Sequence, residues 1–259
     1  MTQPATTGDD PFAAIRYQRP FLKQAVVRVD WAVPQAAIAT ELPASIRTAA
    51  LASFPIPEPR KIRAQMLMVA GGALTGEQGE SMQWLFHGKE REKTLSITPE
   101  AMFITYSRYN TFESLRDEFF SVMQAFVELY PQTQASRVGL RYINEIELQE
   151  GNPLDWAQYL TTSMLCILDV AEDKGLIARA FHRLELNYGE MFLVYAFGIS
   201  NPDYPATVKR KHYVLDLDGF YAALQTPSEV QAHVNNAHKT IQRIFEASIT
   251  DALRAKMND

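Results

Sequence analysis

The chain has 259 residues, 47% of them hydrophobic and 21% charged, with a net charge of −5, which is ordinary for a folded soluble protein and long enough for one large domain or two small ones. The acidic balance disfavours a general nucleic-acid binder, and no apolar run approaches the roughly 18–20 residues that span a bilayer. The polar N-terminus, with Asp9 and Asp10, is no secretory signal, and the single cysteine, Cys166, excludes an intrachain disulfide and fits a reducing cytoplasm.

Residues 1–15 read as a flexible lead-in. Ala25 to Trp31 alternates as a strand. Pro34 then opens a helical stretch with Ile38, Leu42 and Ile46 inward, and Pro43 inside it predicts a kink or two short helices. Phe54 to Pro59 is proline-rich and extended. Strands follow near 61–70, 81–88, 92–98 and 101–106, with Gly71, Gly72, Gly76 and Gly79 punctuating the first loop. Asn110 to Glu113 has capping-box spacing, and the stripe Phe112, Leu115, Phe119, Met123, Phe126 and Tyr130 predicts a helix that Pro131 ends. The strand 136–148 sorts its side chains at period two. Val138, Leu140, Tyr142, Ile146 and Leu148, with Asn144, share one face; Arg137, Arg141, Ile143, Glu145 and Glu147 share the other.

The second half repeats this order. Asn152-Pro153 predicts a helix start with Leu154, Leu160, Met164 and Ile167 or Leu168 inward. Strands follow at 180–188, 191–199 and 210–218, the first two joined by a tight turn at Tyr188-Gly189-Glu190. Pro227 and Ser228 to Gln231 start a last helix, whose stripe from Val230 to Leu253 predicts a span of roughly 40 Å. The element order predicts an α+β fold of two similar units side by side, 16–135 and 136–259, packed as one body. Each reads strand, helix, antiparallel sheet, long helix. This order resembles the duplicated helix-grip or TATA-box-binding-protein-like arrangement, an analogy of fold that carries no function.

Four segments also resemble a sporadically distributed, uncharacterised bacterial protein family of about this length: the strand after Arg19-Pro20, Arg141-Tyr-Ile-Asn144, Val214 to Asp218, and the ending Ala237 to Asp251. The resemblance covers nearly the full chain, and its motifs are specific as a set. Arg19-Pro20-Phe21 lacks a second proline associated with the family. The family has no established activity, so the resemblance implies nothing catalytic.

Asn144 lies on an apolar face, so it either satisfies a core hydrogen bond, for instance to a helix end, or meets a ligand in a cavity, with Tyr142 beside it. Arg141 reads as part of an ion-pair ladder with Glu145 and Glu147, or as the centre of a partner-binding surface that includes Glu145. His212, Asp216 and Asp218 share a strand face but stand too far apart for a metal site without help, for instance from His182. His233 and His238 diverge on their helix, and His238 is better read as a helix-to-sheet hydrogen bond. Cys166 reads as an inert core thiol, Lys209 to Lys211 as a solvated start of a strand, and Arg183, Glu185 and Asn187 as a mixed polar face. No nucleotide, hydrolase or metalloprotease signature occurs, so neither cofactor nor metal is expected.

The reading these features favour is a non-enzymatic binding or regulatory protein that docks a protein partner through its open sheet face. The alternative is a small-ligand binder with a cavity above about 300 Å³ lined by Tyr142 and Asn144. An enzyme using the 212–218 strand comes third, and a homodimer stays open.

Overall fold

The computed structural model describes Phe12, residues 15–70 and residues 73–258, with 64–70 and 73–79 described by backbone alone. The expected N-terminal lead-in, apart from Phe12 and Ile15, and the Gly71-Gly72 pair lie outside the described residues.

Alternating apolar residues build an antiparallel sheet of ten strands. They are β1 Leu22–Trp31, β2 Ile56–Pro57, β3 Arg60–Ala70, β4 Ala73–His87, β5 Lys93–Ile97, β6 Ala101–Tyr106, β7 Ala135–Leu148, β8 Ala180–Tyr188, β9 Met191–Ile199 and β10 Lys211–Tyr221. The order across the sheet is β2-β4-β5-β6-β1-β7-β10-β9-β8, with β3 paired to β4 alone. Each half therefore begins with a central strand, continues at the edge of the sheet and returns inward until its last strand pairs with the first. The two opening strands meet antiparallel, from Gln24 opposite Ile143 to Asp30 opposite Arg137. One sheet runs continuously through both halves.

Helices α1 Ala44–Ser53, α2 Phe112–Leu129, α3 Pro227–Ser248 and α4 Asp251–Asn258 complete the fold. The buried stripe of α2 lies over β6 and β1, and that of α3 over β7 and β10. Ala25, Val27 and Val29 of β1 and Val138 and Leu140 of β7 are fully or almost fully buried beneath them, in one core cluster that includes both halves. The opposite face of β1, β7 and β10 carries Arg28, Arg141 and Asp216, all partly or fully exposed. The two short helices expected around Pro43 appear as a 3-10 turn at Ala36–Ala39 and α1, with Ile38, Leu42 and Ile46 buried.

Several local expectations need correction. No α-helix forms over 152–168; turns and short 3-10 segments, Thr162–Met164 and Cys166–Val170, take its place. The competing interaction is non-local: Leu160 bridges Ile249, Thr161 N–H donates to the Ser248 carbonyl at 3.0 Å, and Thr250 N–H donates to the Tyr159 carbonyl at 3.0 Å. The same bridge holds Ile249 extended and splits the expected last helix into α3 and α4, so α3 runs about 33 Å. Leu160, Met164, Leu168 and Leu253 are buried as expected. Cys166, expected in the core, is exposed on its 3-10 turn. The loop expected through Gly79 is strand from Ala73, where Gly76 and Gly79 pair with Leu67 and Ala64. The α2 cap is Thr111, one residue later than expected, and the α3 capping box is Thr226 with Glu229.

Candidate functional site

The central strand β7 divides the candidate residues between two faces. Tyr142 and Asn144 point under the helices; Arg141 and Glu145 point to the open side. Alternation therefore separates the two candidate sites by the thickness of one sheet.

On the helix side, Tyr142 and Asn144 line a cavity of about 120 Å³ with Tyr109, His238, Glu246 and Leu22. The lining is as expected, but the expected volume above about 300 Å³ is not reached; the cavity is close to the roughly 150 Å³ that holds one benzene ring. Three rings join at one end. The Tyr142 hydroxyl lies 3.3 Å from that of Tyr109 and 3.1 Å from His238 Nδ1. Phe112, at the start of α2, stacks on the His238 ring with centroids 3.8 Å apart. The helix-to-sheet hydrogen bond expected of His238 is present. Burial pushes the Tyr109 hydroxyl up to about 12 and that of Tyr142 well above its ordinary value, so both stay protonated at neutral pH.

Asn144 Nδ2 donates to the Leu215 carbonyl on β10 at 3.3 Å, a sheet partner rather than the helix end expected. At the far end Glu246, whose side chain is 1% exposed, accepts from Arg254 Nε at 2.9 Å and from the Tyr17 hydroxyl at 2.8 Å. These partners satisfy a carboxylate that would otherwise be buried at high cost.

On the open side, Arg141 makes a two-pronged pair with Asp216 of β10, Nε to Oδ1 at 2.8 Å and Nη2 to Oδ2 at 2.6 Å. The expected ladder with Glu145 and Glu147 is replaced by a cross-strand partner, because the register sets Asp216 diagonally beside Arg141. Arg137 reaches Asp218 at 3.3 Å by lying across Gly139, with its guanidinium 4.6 Å from the Phe220 ring. A Cβ at Gly139 would stand 3.2 Å from that guanidinium, so a glycine clears its path. Burial pushes the Asp218 carboxyl up against the opposing pull of Arg137 and Arg141. Glu145 faces His212 across 3.9 Å, beyond hydrogen-bond length, while His212 Nδ1 lies 2.9 Å from Ser200 Oγ.

His182 sits on the helix side, stacked on Phe197, so it does not meet His212 or Asp216. Among the described residues no group of three or more His, Cys, Asp or Glu side chains could hold a metal ion. Lys211, expected in solvent, is 8% exposed, its ammonium against the Trp156 and Tyr159 rings at 5.5 and 5.2 Å. Tyr17, Tyr109 and Glu246 were not singled out in the sequence. The first two lie outside regular elements, and Glu246 falls on the buried stripe of α3, where a carboxylate was the only signal.

No protein-family model matches the chain, and no curated protein is similar to it. No helix among the described residues is long and apolar enough to cross a membrane.

Proposed function

We propose that the chain is a non-enzymatic binding protein that takes a small ligand into the cavity beneath α3. The observation that carries this reading is convergence. Tyr109 before α2, Tyr142 and Asn144 of β7, and His238 and Glu246 of α3 are far apart in the chain, and all line one cavity. Its size suits one ring or a short branched chain. The Tyr109–Tyr142–His238 cluster suits a ligand with a single donor–acceptor group, and Leu22, Ile241 and Phe245 suit an apolar body. The mirrored strand order supports a duplication of two helix-grip-like units, which would make this the cavity of one unit at the seam. A bacterial cytoplasm is the compartment we infer.

Phenol tests the reading as a probe. It should raise the melting temperature of the wild-type chain in proportion to occupancy, and the shift should vanish in Leu22→Phe, which fills the cavity. An equal shift in both proteins, or none in either, rejects the cavity as the site.

The second reading keeps the sequence expectation of a protein partner on the open face. It is favoured by Arg141, 46% exposed on a side chain at the middle of that face. Arg141→Glu should release a partner recovered from the native host while leaving the phenol response intact. A partner retained by Arg141→Glu removes this reading.

A further inference from the structure

The sheet ends on one side in β8, and its outer edge is unlike a protected one. Natural edges are kept short, or interrupted by proline, lysine or a bulge. The β2 edge follows that rule, with two residues, one of them Pro57. In contrast β8 has nine residues, neither proline nor lysine, and unbroken register with β9. Its apolar side chains are exposed on both faces: Phe181 at 45%, Leu184 at 46% and Tyr188 at 45%.

The backbone direction follows from the turn. Tyr188 pairs with Met191 across a two-residue turn with Gly189 at φ 86°, so the closing pair is hydrogen-bonded. Alternation then directs the N–H and C=O groups of Ala180, His182, Leu184, Leu186 and Tyr188 toward β9. Those of Phe181, Arg183, Glu185 and Asn187 point away from it. Among the described residues no strand receives them.

We propose that two copies of the chain join edge to edge through β8, antiparallel about a two-fold axis at Leu184. In this register every outward group finds a partner, and Arg183 of one copy stands directly opposite the partner's Glu185. Within one chain Arg183 already pairs with Glu185 at 2.9 Å, so the contact assembles four alternating charges on the open face. On the other face Leu184 meets its own copy. The charges also select the register. Moving the axis by one residue sets Arg183 against Arg183, or Glu185 against Glu185, and like charges directly opposite are unfavourable.

Sedimentation equilibrium on the full chain tests this. The wild type is expected to sediment as a dimer. Arg183→Glu should lose the dimer, and adding Glu185→Arg should restore it, because the double swap is again self-complementary. Arg183→Pro should also lose it with the circular dichroism spectrum and melting temperature unchanged, since that N–H faces away from β9. In a Cys166→Ser background, Leu184→Cys should form an intermolecular disulfide, because non-hydrogen-bonded antiparallel pairs hold their Cα atoms about 4.5 Å apart, within disulfide reach. A wild-type monomer, a dimer that survives Arg183→Glu or Arg183→Pro, a double swap that stays monomeric, or an unlinked Leu184→Cys overturns the proposal.

Discussion

The Tyr142 hydroxyl joins three elements at one point: β7 through its own backbone, the segment before α2 through Tyr109, and α3 through His238. Deleting it removes both hydrogen bonds at half-buried neighbours, each worth about 1 kcal/mol. Tyr142→Phe should therefore destabilise the fold by about 1–2 kcal/mol, read as a lower urea midpoint at unchanged slope. An unchanged midpoint would mean that water replaces the hydroxyl. His233 makes a different kind of contact, stacked on Tyr221 at 3.8 Å with Nδ1 2.7 Å from Gln225 Oε1. Burial holds its pKa below the ordinary 6.5, against the weaker pull of Glu229 and Glu190. In the window below 6.5 the unfolded chain binds the proton more readily than the folded one. The contribution is thus fully present above the ordinary value and lost as pH falls through the folded one. His233→Gln should flatten the fall in melting temperature as the pH drops below 6.5; an unaltered pH profile would contradict the lowered pKa.

At the scale of elements, what was legible in the sequence was what local periodicity controls. The β7 alternation, the α2 stripe and the Tyr188-Gly189-Glu190 turn all rest on residues within a few positions of one another, and they form as the patterns predict. The failures share one cause. Leu160, Met164 and Leu168 are buried as a helix would bury them, yet the backbone at Leu160 is claimed by a bridge to Ile249, almost ninety residues away. Arg141 finds Asp216 for a similar reason, since the register between β7 and β10 is set by the whole sheet. The cavity residues were half legible. Asn144 and His238 stand out as polar groups on apolar faces, whereas Tyr109 and Tyr17 sit where no period marks them. The α2 cap tests the finest grain of this. Thr111 Oγ1 accepts from the Ser114 N–H at 3.1 Å, so Thr111→Ala should cost about 1 kcal/mol, while Asn110→Ala should cost clearly less. Equal losses in thermal unfolding would return the cap to Asn110.

For the whole molecule, the decisive feature is that the seam between the halves lies at the centre of the sheet instead of at a linker. β1 and β7 each have a strand on both sides, and the core cluster passes beneath them without a gap. The backbone of each opening strand pairs with that of the other across the seam. Leu140 stands opposite Val27 at this seam, and both are fully buried. Leu140→Ala should cost about 2–4 kcal/mol through lost transfer energy and the cavity left behind. Because the seam is shared, that loss should reach both halves. In hydrogen exchange followed by mass spectrometry, the slowest amides of β5 and β6 should lose as much protection as those of β9, although no residue near β5 has changed. Two independently folding halves would give another pattern, with loss confined to β7 through β10. The β3–β4 ribbon supplies an internal control. β3 pairs with β4 alone, so its amides open without global unfolding, and their exchange should be the same in both proteins.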